Sequence, residues 1–239
     1  MSGRHIVALS GGKDSTAMAL RLVEVEPRNY EFVCTPTGNE LPEMLLHWER
    51  LGVLLGKPLQ VLNGQTLEGL IQLQNALPNV WMRWCTRMLK LEPFIKHVKA
   101  NLPCTVYVGL RADEAAERDG FQYDFDGVTT DYPFQRWGWD LNYVLDYLQE
   151  RSINVPERTD CAWCFFQTLY EWFQLWKEHP DLYWRAAEWE AKVGHTLRSP
   201  ARDTRPAALK DLAAEFASGY MPKPKKMRDR KQMCAVCAR

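Results

Sequence analysis

Short apolar runs alternate with amphipathic segments along the first half of the chain. Residues 5–9 form an apolar run that ends in Ser-Gly-Gly, which is typical of a buried parallel strand followed by a tight loop. From Asp14, apolar residues recur at helical spacing until Pro27, which predicts a helix. Further strands are predicted at 31–34, 59–62 and 105–108, and further helices at 41–55 and after Cys85. This alternation predicts an α/β fold in which helices cover both faces of a parallel sheet.

The pattern changes in the second half of the chain. Residues 119–140 are rich in Gly, Asp and aromatic side chains, and they predict a loop or short hairpin beside the carboxyl edge of the sheet. Beyond Pro156, Trp-rich helices are predicted at about 164–177, 182–193 and 205–216. We therefore expect three regions. These are a sheet domain over 1–155, a small helical region with cysteines over 156–221, and a basic tail over 222–239.

Composition is that of a folded protein, with 46% hydrophobic and 25% charged residues among 239. No apolar run approaches the ~20 residues of a membrane span, and the amino terminus lacks the apolar core of a secretion signal. A cytoplasmic protein without membrane contact is expected. The net charge of zero hides a tail with four Lys and three Arg against Asp229. Such a tail is either simply solvated or a contact for an anionic partner such as nucleic acid.

Seven cysteines in a reducing compartment do not indicate a disulfide framework. Cys34 and Cys104 fall in predicted strands and are interpreted as small core residues. The other five are Cys85, the pair Cys161 and Cys164, and the pair Cys234 and Cys237. Each pair has C-x-x-C spacing, so these five are candidates for metal or sulfur chemistry.

A short polar loop joins the first predicted strand to the first predicted helix. It consists of Ser10, Gly11, Gly12, Lys13, Asp14 and Ser15. The glycines allow backbone N–H groups to face a phosphate, and the following helix offers its N-terminus to the same anion. Lys13 can neutralise phosphate oxygens and Asp14 can hold Mg²⁺. An ordinary glycine turn is the alternative, but the accompanying Lys, Asp and hydroxyls favour a phosphate site, and the spacing is not that of a Walker loop.

This loop resembles that of the PP-loop family, whose members bind ATP and cleave it between the α and β phosphates, usually adenylating a substrate. Four further segments resemble the branch that contains phosphoadenosine-phosphosulfate (PAPS) reductases. Residues 37–43 resemble its D-T-G-x-x-x-P-E turn and residues 85–93 its C-x-x-x-R-K-x-x-P segment. Residues 109–118 resemble its G-x-R-x-x-E/D-S-x-x-R element and residues 132–137 its N-P-x-x-x-W. Two positions depart from the branch, since Pro36 and Ala115 stand where Asp and Ser are expected.

The resemblance implies ATP and Mg²⁺ as cofactors, with Lys13 and Asp14 catalytic. It extends the nucleotide contacts from the loop to Thr37, Gly38, Gly109 and Arg111, and it assigns substrate binding to Arg87, Lys90 and Arg118. Arg111 follows a predicted strand end, where ligands of such sheets bind, and its fork suits phosphate or sulfate. A surface ion pair is the alternative for each arginine.

The cysteines resemble those of two iron–sulfur proteins of this branch. Adenylylsulfate (APS) reductases bind a [4Fe–4S] cluster through a Cys-Cys pair and a later C-x-x-C, but this chain has Trp84-Cys85 in place of the first pair. Residues 158–164 more closely resemble the R-x-G-C-W-x-C stretch in the sulfur-handling subunit of DNA phosphorothioation systems, which also carries W-C-T. The resemblance implies Cys85, Cys161 and Cys164 as cluster ligands.

The fourth ligand is left open by the sequence. Cys237 is the predicted donor and Cys234 its alternative, and both are then also candidates for catalytic sulfur handling. Otherwise the fourth iron is open and could hold an extra sulfide. A Zn²⁺ site made by the two C-x-x-C pairs is the rival, although their separation of about 70 residues is far from the usual zinc spacing. With no metal, the tail pair would be a redox dithiol.

Three functions are consistent with these patterns. The first is ATP-dependent sulfur transfer to DNA or RNA, with a cysteine desulfurase or another sulfur-donor protein as partner. The second is reductive cleavage of a sulfonucleotide, which normally uses a Cys in an E-C-G-x-H/L element that this chain lacks. The third is a non-catalytic ATP-binding subunit. The many aromatic residues of 163–189 could stack on bases, but their helical spacing favours a core around the cysteines.

Overall fold

The computed structural model describes residues 3–62, 64–115 and 123–224. Its centre is one sheet of five parallel strands in the order β3-β2-β1-β4-β5. The strands are β1 (Arg4–Ala8), β2 (Tyr30–Cys34), β3 (Gln60–Val61), β4 (Cys104–Tyr107) and β5 (Val128–Asp131). The chain builds outward from β1 through β2 and β3, then crosses back to β4. The strand order therefore reverses between β1 and β4, which is where ligands bind in open parallel sheets.

The helices that accompany the sheet are α1 (Lys13–Val25), α2 (Pro42–Leu54), α3 (Leu67–Gln74), α4 (Trp84–Thr86), α5 (Glu92–Ala100), α6 (Pro133–Trp137) and α7 (Leu141–Glu150). A π-helical segment, Arg87–Leu91, joins α4 to α5, and a 3-10 turn, Ala112–Glu114, follows β4. The carboxyl-terminal helices are α8 (Leu169–Glu178), α9 (Pro180–Val193) and α10 (Leu209–Ala217). Among the described residues, no helix is both long enough and apolar enough to cross a membrane.

Alternation along the strands gives the sheet two apolar faces. Val7 and Tyr107 pack into one core cluster together with residues of α1, α2 and α7. Ile6 and Val106, their neighbours in the chain, pack into another cluster with Val98 of α5. Because successive strand residues point to opposite faces, one short apolar run serves both clusters. The predicted parallel sheet with helices on both faces is confirmed.

The carboxyl-terminal helices form a third core cluster with the sheet domain. Trp163 and Trp172 are fully buried there, which confirms the core interpretation for these two aromatic residues. The same cluster contains Leu41, Leu67 and Leu89 from the amino-terminal part of the chain. The predicted division near residue 155 stays a prediction, and this apolar cluster extends across it.

The prediction of a loop or hairpin over 119–140 is wrong for its second part. Val128–Asp131 is a strand that pairs in parallel with β4, and it is followed by α6. All four residues of β5 are partly or fully exposed, so this edge strand lacks the apolar pattern that identifies a buried one. Helices α3 and α7 were not predicted either.

Two predicted helices begin later than their sequence pattern suggests. Helix α8 begins at Leu169, because residues 161–167 form turns and Thr168 then makes a capping box with Glu171. Helix α10 begins at Leu209, after an irregular segment that contains Pro206. Both differences place additional loop next to the cysteines.

Candidate functional site

The phosphate loop lies between β1 and α1, as predicted. Gly11 has a φ of 82°, and a Cβ at this position would lie 2.2 Å from Met44 Cε and 2.3 Å from Trp48 Nε1. Only glycine fits that backbone. The Gly11 N–H donates to Ser15 Oγ at 3.0 Å, and the two serine hydroxyls, of Ser10 and Ser15, are also 3.0 Å apart. The Ser15 hydroxyl thus occupies the Gly11 N–H, one of the amide donors that the sequence predicts to face a phosphate.

Helix α2 supports the loop from behind through two polar side chains that sequence reasoning missed. His47 Nε2 lies 3.1 Å from Thr16 Oγ1, and Trp48 Nε1 donates to Ser10 O at 3.2 Å. Burial is the main reason that the pKa of His47 is lowered, so the neutral ring is favoured. The available signal was a histidine on the apolar stripe of α2 formed by Met44 and Leu51.

Charged side chains meet at the start of α1. Lys13 Nζ lies 3.2 Å from Asp14 Oδ2, and Arg111 Nη1 lies 3.0 Å from Asp14 Oδ1. Arg111 also pairs with Asp113 and Glu114, each at 3.0 Å, and is only 8% exposed. Burial alone would lower the pKa of Arg111, but the carboxylates, Asp14 first, raise it above its ordinary value. Arg111 therefore holds Asp14 in place rather than presenting a free charge.

The turn after β2 is closed by its own carboxylate. Glu40 accepts hydrogen bonds from the Thr37 N–H at 2.6 Å, the Thr37 hydroxyl at 2.8 Å and the Gly38 N–H at 2.9 Å. Gly38 has a φ of 79°. Two amides that face one anion make a binding concavity, and here Glu40 fills it. Sequence reasoning missed Glu40.

The loop after β4 packs directly on the phosphate loop. A Cβ at Gly109 would lie 3.4 Å from the backbone C of Asp14 and the backbone N of Ser15. The predicted nucleotide contacts Gly109 and Arg111 are thus brought beside Lys13 and Asp14, at the point where the strand order reverses.

The cysteine loop, residues 158–167, borders the predicted nucleotide site. Thr159 Oγ1 is 3.4 Å from where a Cβ would stand on Gly12, and the Ala162 N–H donates to Asn39 O at 2.7 Å. One contact is to the phosphate loop and the other is to the turn after β2. The two predicted halves of the site, the loop and the cysteines, therefore adjoin each other.

Residues 4–157 match the family described as the phosphoadenosine phosphosulfate reductase domain. The chain belongs to this family. An uncharacterized protein of Methanocaldococcus jannaschii is 30% identical over 115 residues, which are 47% of this chain and 24% of that protein. The chain thus spans about a quarter of the length of that relative.

A solved PAPS reductase structure supports the PAPS reductase-like fold. The phosphoadenylyl-sulfate reductase of Candida auris, solved with phosphate, has a TM-score of 0.53 at 15% identity, over 66% of this chain and 77% of that one. The U34-tRNA thiolase NcsA from Methanococcus maripaludis, solved with its [4Fe-4S] cluster, gives a TM-score of 0.45 at 14% identity, over 94% and 84%.

Within this PAPS reductase-like chain, Cys85, Cys161 and Cys164 approach one another. A hydrogen bond with Cys161, together with burial, raises the pKa of the Cys164 thiol well above its ordinary value. Burial raises the pKa of Cys85, which is close enough to Cys164 for that group to raise it further, while Lys90 lowers it. The neutral thiols of Cys85 and Cys164 are therefore favoured in the absence of a bound cation.

The three thiols suit an iron–sulfur cluster in kind but are one donor short. Soft thiolates are the ligands of such clusters, and Trp84 and Met88 pack against the same apolar cluster as Cys85 and Cys161. In the described part of the chain, no group of three or more His, Cys, Asp or Glu side chains has the arrangement of a metal site. Cys234 and Cys237 lie outside the described residues. The complete ligand set therefore stays a prediction.

Two arginines and a glutamine hold the carbonyl groups of the cysteine loop. Arg158 donates to Cys161 O at 3.3 Å, and Gln167 Nε2 donates to Ala162 O at 2.5 Å. Arg202 donates to the carbonyls of Phe165 and Phe166, each at 2.9 Å. These hydrogen bonds fix the backbone of the loop that carries Cys161 and Cys164. Arg202 was missed, because only the folded chain brings its segment here.

Two of the predicted substrate residues follow Cys85 closely in the chain. Arg87 and Lys90 lie in the π-helical segment, a rare geometry that occurs often at functional sites. Arg87 is mostly exposed and pairs with the equally exposed Glu92 at 3.4 Å. Arg118, the third predicted substrate residue, lies outside the described residues.

Proposed function

We propose that this chain is an ATP-dependent sulfur-transfer enzyme that replaces an oxygen of a nucleic acid by sulfur. One observation carries the proposal, namely the contact of the cysteine loop with the phosphate loop through Thr159 and Gly12. This contact supports a site in which nucleotide chemistry and sulfur chemistry act side by side. Membership of the PAPS reductase family supports the nucleotide half.

The proposed reaction has two steps that conserve the oxidation state of sulfur. In the first, the acceptor oxygen attacks the α-phosphorus of ATP, and the bond to pyrophosphate breaks. In the second, hydrosulfide attacks the activated acceptor atom, and the bond to the AMP oxygen breaks. The products are the thiolated acceptor, AMP and pyrophosphate. A sulfur-donor protein provides the hydrosulfide. If that donor is a cysteine desulfurase, a dithiol must supply two electrons to reduce its persulfide.

The residues of the chain act on ATP by charge and position. Lys13 neutralises phosphate oxygens, Asp14 holds Mg²⁺, and Arg111 keeps the Asp14 carboxylate in place. Cys85, Cys161 and Cys164 would hold a [4Fe–4S] cluster, with Zn²⁺ as the alternative. When bound, the cluster supplies an iron position at which sulfide can be retained.

The test combines metal content with pyrophosphate release under anaerobic conditions. We expect iron and acid-labile sulfide, with a broad absorbance near ~400 nm from thiolate-bound iron. Cys85→Ala should lose the iron, whereas Cys104→Ala, at a buried strand position, should retain it. Stoichiometric zinc in place of iron would contradict the cluster.

Pyrophosphate release tests the loop in the same preparation. Lys13→Ala should lower the rate by about 100-fold or more, because a charge that stabilises the transferring phosphates is lost. Lys177→Ala, on the exposed side of α8, is the matched control and should leave the rate unchanged. A parental rate in Lys13→Ala would refute the assignment of the loop.

Sulfonucleotide reduction is the second candidate, because the family match names that domain. The two functions differ in their products. A reductase releases sulfite from PAPS or APS with a dithiol as reductant and consumes no ATP. A non-catalytic subunit, the third possibility, would bind ATP without releasing pyrophosphate.

A further inference from the structure

Three consecutive apolar side chains are exposed two residues before Cys85. Val80 is 49% exposed, Trp81 93% and Met82 51%. Single exposed apolar residues are common on protein surfaces, but a contiguous patch usually contacts a partner. Trp81 is more exposed than any other large hydrophobic residue in the described part of the chain.

The turn that carries Trp81 is held by its own hydrogen bonds. Asn79 Oδ1 accepts from the N–H groups of Trp81 and Met82, both at 2.9 Å, and the Asn79 N–H donates to Met82 O at 3.3 Å. The indole is therefore displayed on a closed turn. A partner that packs on it has little backbone to order, which lowers the entropic cost of binding.

The charge around the turn favours an anionic partner. Residues 79–91 contain three basic residues, Arg83, Arg87 and Lys90, and no acidic residue. Among the described residues Arg87 forms an ion pair with Glu92, and an exposed pair of this kind is weak and exchanges readily for phosphate. An exposed aromatic ring beside guanidinium groups is typical of surfaces that bind single-stranded nucleic acid.

The same segment is joined to the cysteine loop. The Arg83 guanidinium lies over the ring of Phe166, 5.4 Å from its centroid, and Lys90 is close enough to Cys85 to affect its pKa. A base stacked on Trp81 would therefore lie on the segment that packs against the cysteine loop through Arg83. Since duplexes hide the faces of their bases, the ring can stack only on an unpaired base.

We propose that Trp81 is a stacking platform for an unpaired base of single-stranded nucleic acid, with Arg83 and Arg87 contacting its phosphates next to the cysteine site. This inference rests on the proposed function, because it identifies how the acceptor of that reaction is recognised.

The test measures binding alone, with the full chain and without ATP. Fluorescein-labelled single strands of about 12 nucleotides, one of DNA and one of RNA, are titrated with protein and followed by anisotropy. Trp81→Leu should raise the dissociation constant about 5- to 100-fold, because an aliphatic side chain cannot stack. Trp81→Phe should stay within about 3-fold of the parent, since its ring still stacks. Trp184→Leu, which alters a tryptophan that is 44% exposed on α9, is the matched control and should bind like the parent.

Each outcome decides the proposal. A strand that prefers DNA or RNA identifies the acceptor, and a fully paired duplex should bind more weakly and without dependence on Trp81. Equal binding by Trp81→Leu and the parent would overturn the platform and leave a protein as the occupant of the patch. Failure of either strand to bind would overturn it as well. If the parent protein bound single strands in a Trp81-dependent way but released no pyrophosphate, only the proposed function would be refuted.

Discussion

A methyl group added at Gly11 would meet Met44 and Trp48 of α2 at distances below 2.5 Å. The backbone there has a φ of 82°, which an alanine adopts only at a cost of about 1–2 kcal/mol. Gly12, its neighbour, has a φ of −71°, and a Cβ there would meet Thr159 Oγ1 at an ordinary 3.4 Å. Adjacent glycines thus have different structural requirements.

We expect Gly11→Ala to lower the melting temperature by roughly 2–8 °C and to abolish ATP binding, because the loop must change shape. Gly12→Ala should melt within about 2 °C of the parent. Thermal unfolding by circular dichroism and ATP titration calorimetry measure the two effects. Equal stabilities of the two variants would show that the described loop geometry is not the one in solution.

Arg111 is surrounded by three carboxylates, so replacing it by a neutral residue should destabilise the fold. Arg111→Gln leaves Asp14, Asp113 and Glu114 without their shared cation. Removing one partner of a fully buried ion pair costs about 3–5 kcal/mol, and the partial exposure of these carboxylates lowers our expectation to about 2 kcal/mol.

The measurement for Arg111→Gln is chemical denaturation together with Mg²⁺–ATP affinity. Both should fall, because Asp14 loses the contact that orients it. Arg136→Gln removes more exposed pairs with Asp131 and Glu26 and is the control, with an expected loss below about 1 kcal/mol. If Arg111→Gln and Arg136→Gln had the same free energy of unfolding, the ion pair between Arg111 and Asp14 would not contribute to stability.

At the scale of elements, the sequence predicted those helices and strands whose own residues contain a complete pattern. The unit from β1 to α1 has an apolar run, two glycines and a helical repeat, and it was predicted within one or two residues. Strand β5 has no such pattern, because an edge strand with a half-exposed face needs few apolar residues. Its pairing with β4 arises only when the sheet is assembled.

The residues of the candidate site also fall into those that a local pattern predicts and those that depend on the folded structure. Lys13 and Asp14 were predicted because their chemistry is local to one loop. The role of Glu40 depends on turn geometry. The approach of Cys85 to Cys164 depends on the packing of the third core cluster, and only the family resemblance predicted it. Contacts of this kind join segments far apart in the chain, and a pattern within one segment does not contain them.

Glu190 on α9 joins two segments of the carboxyl-terminal region. Its carboxylate accepts the N–H groups of Leu197 at 2.8 Å and Leu209 at 2.7 Å, the latter at the start of α10. Burial raises the pKa of Glu190 to about 7, against the opposing effect of these two hydrogen bonds. The folded chain therefore binds a proton at Glu190 more tightly than the unfolded chain does.

The contribution of Glu190 to the free energy of unfolding should accordingly be greatest below about pH 4.5. It should be lost as the pH rises through 7. The expected loss is up to about 3 kcal/mol. Glu190→Gln cannot ionise, so its melting temperature should fall less than that of the parent between pH 5 and pH 8. Glu188→Gln, exposed on the same helix, should follow the parent. Parallel melting curves for parent and Glu190→Gln would exclude this linkage.

At the scale of the whole molecule, the third core cluster makes the carboxyl-terminal helices part of the sheet domain's stability. Six buried residues of the amino-terminal part belong to it, namely Leu41, Leu67, Leu70, Ile71, Leu77 and Leu89. Burying a leucine contributes about 1.5–3 kcal/mol, so six of them contribute on the order of 10 kcal/mol. That amount is comparable with the whole free energy of unfolding of a typical domain.

We therefore expect the fragment 1–157, which contains the whole family match, not to fold alone. Without α8 to α10 the six side chains face water, and the fragment should bind a hydrophobic dye and lack a cooperative thermal transition. The fragment 1–224 is the control, because no described member of the cluster or of its packed neighbours lies beyond Tyr220. It should melt cooperatively, within about 2 °C of the full chain. A sharp transition in 1–157 would show instead that the sheet domain is autonomous and that the cysteine loop is an appendage added to it.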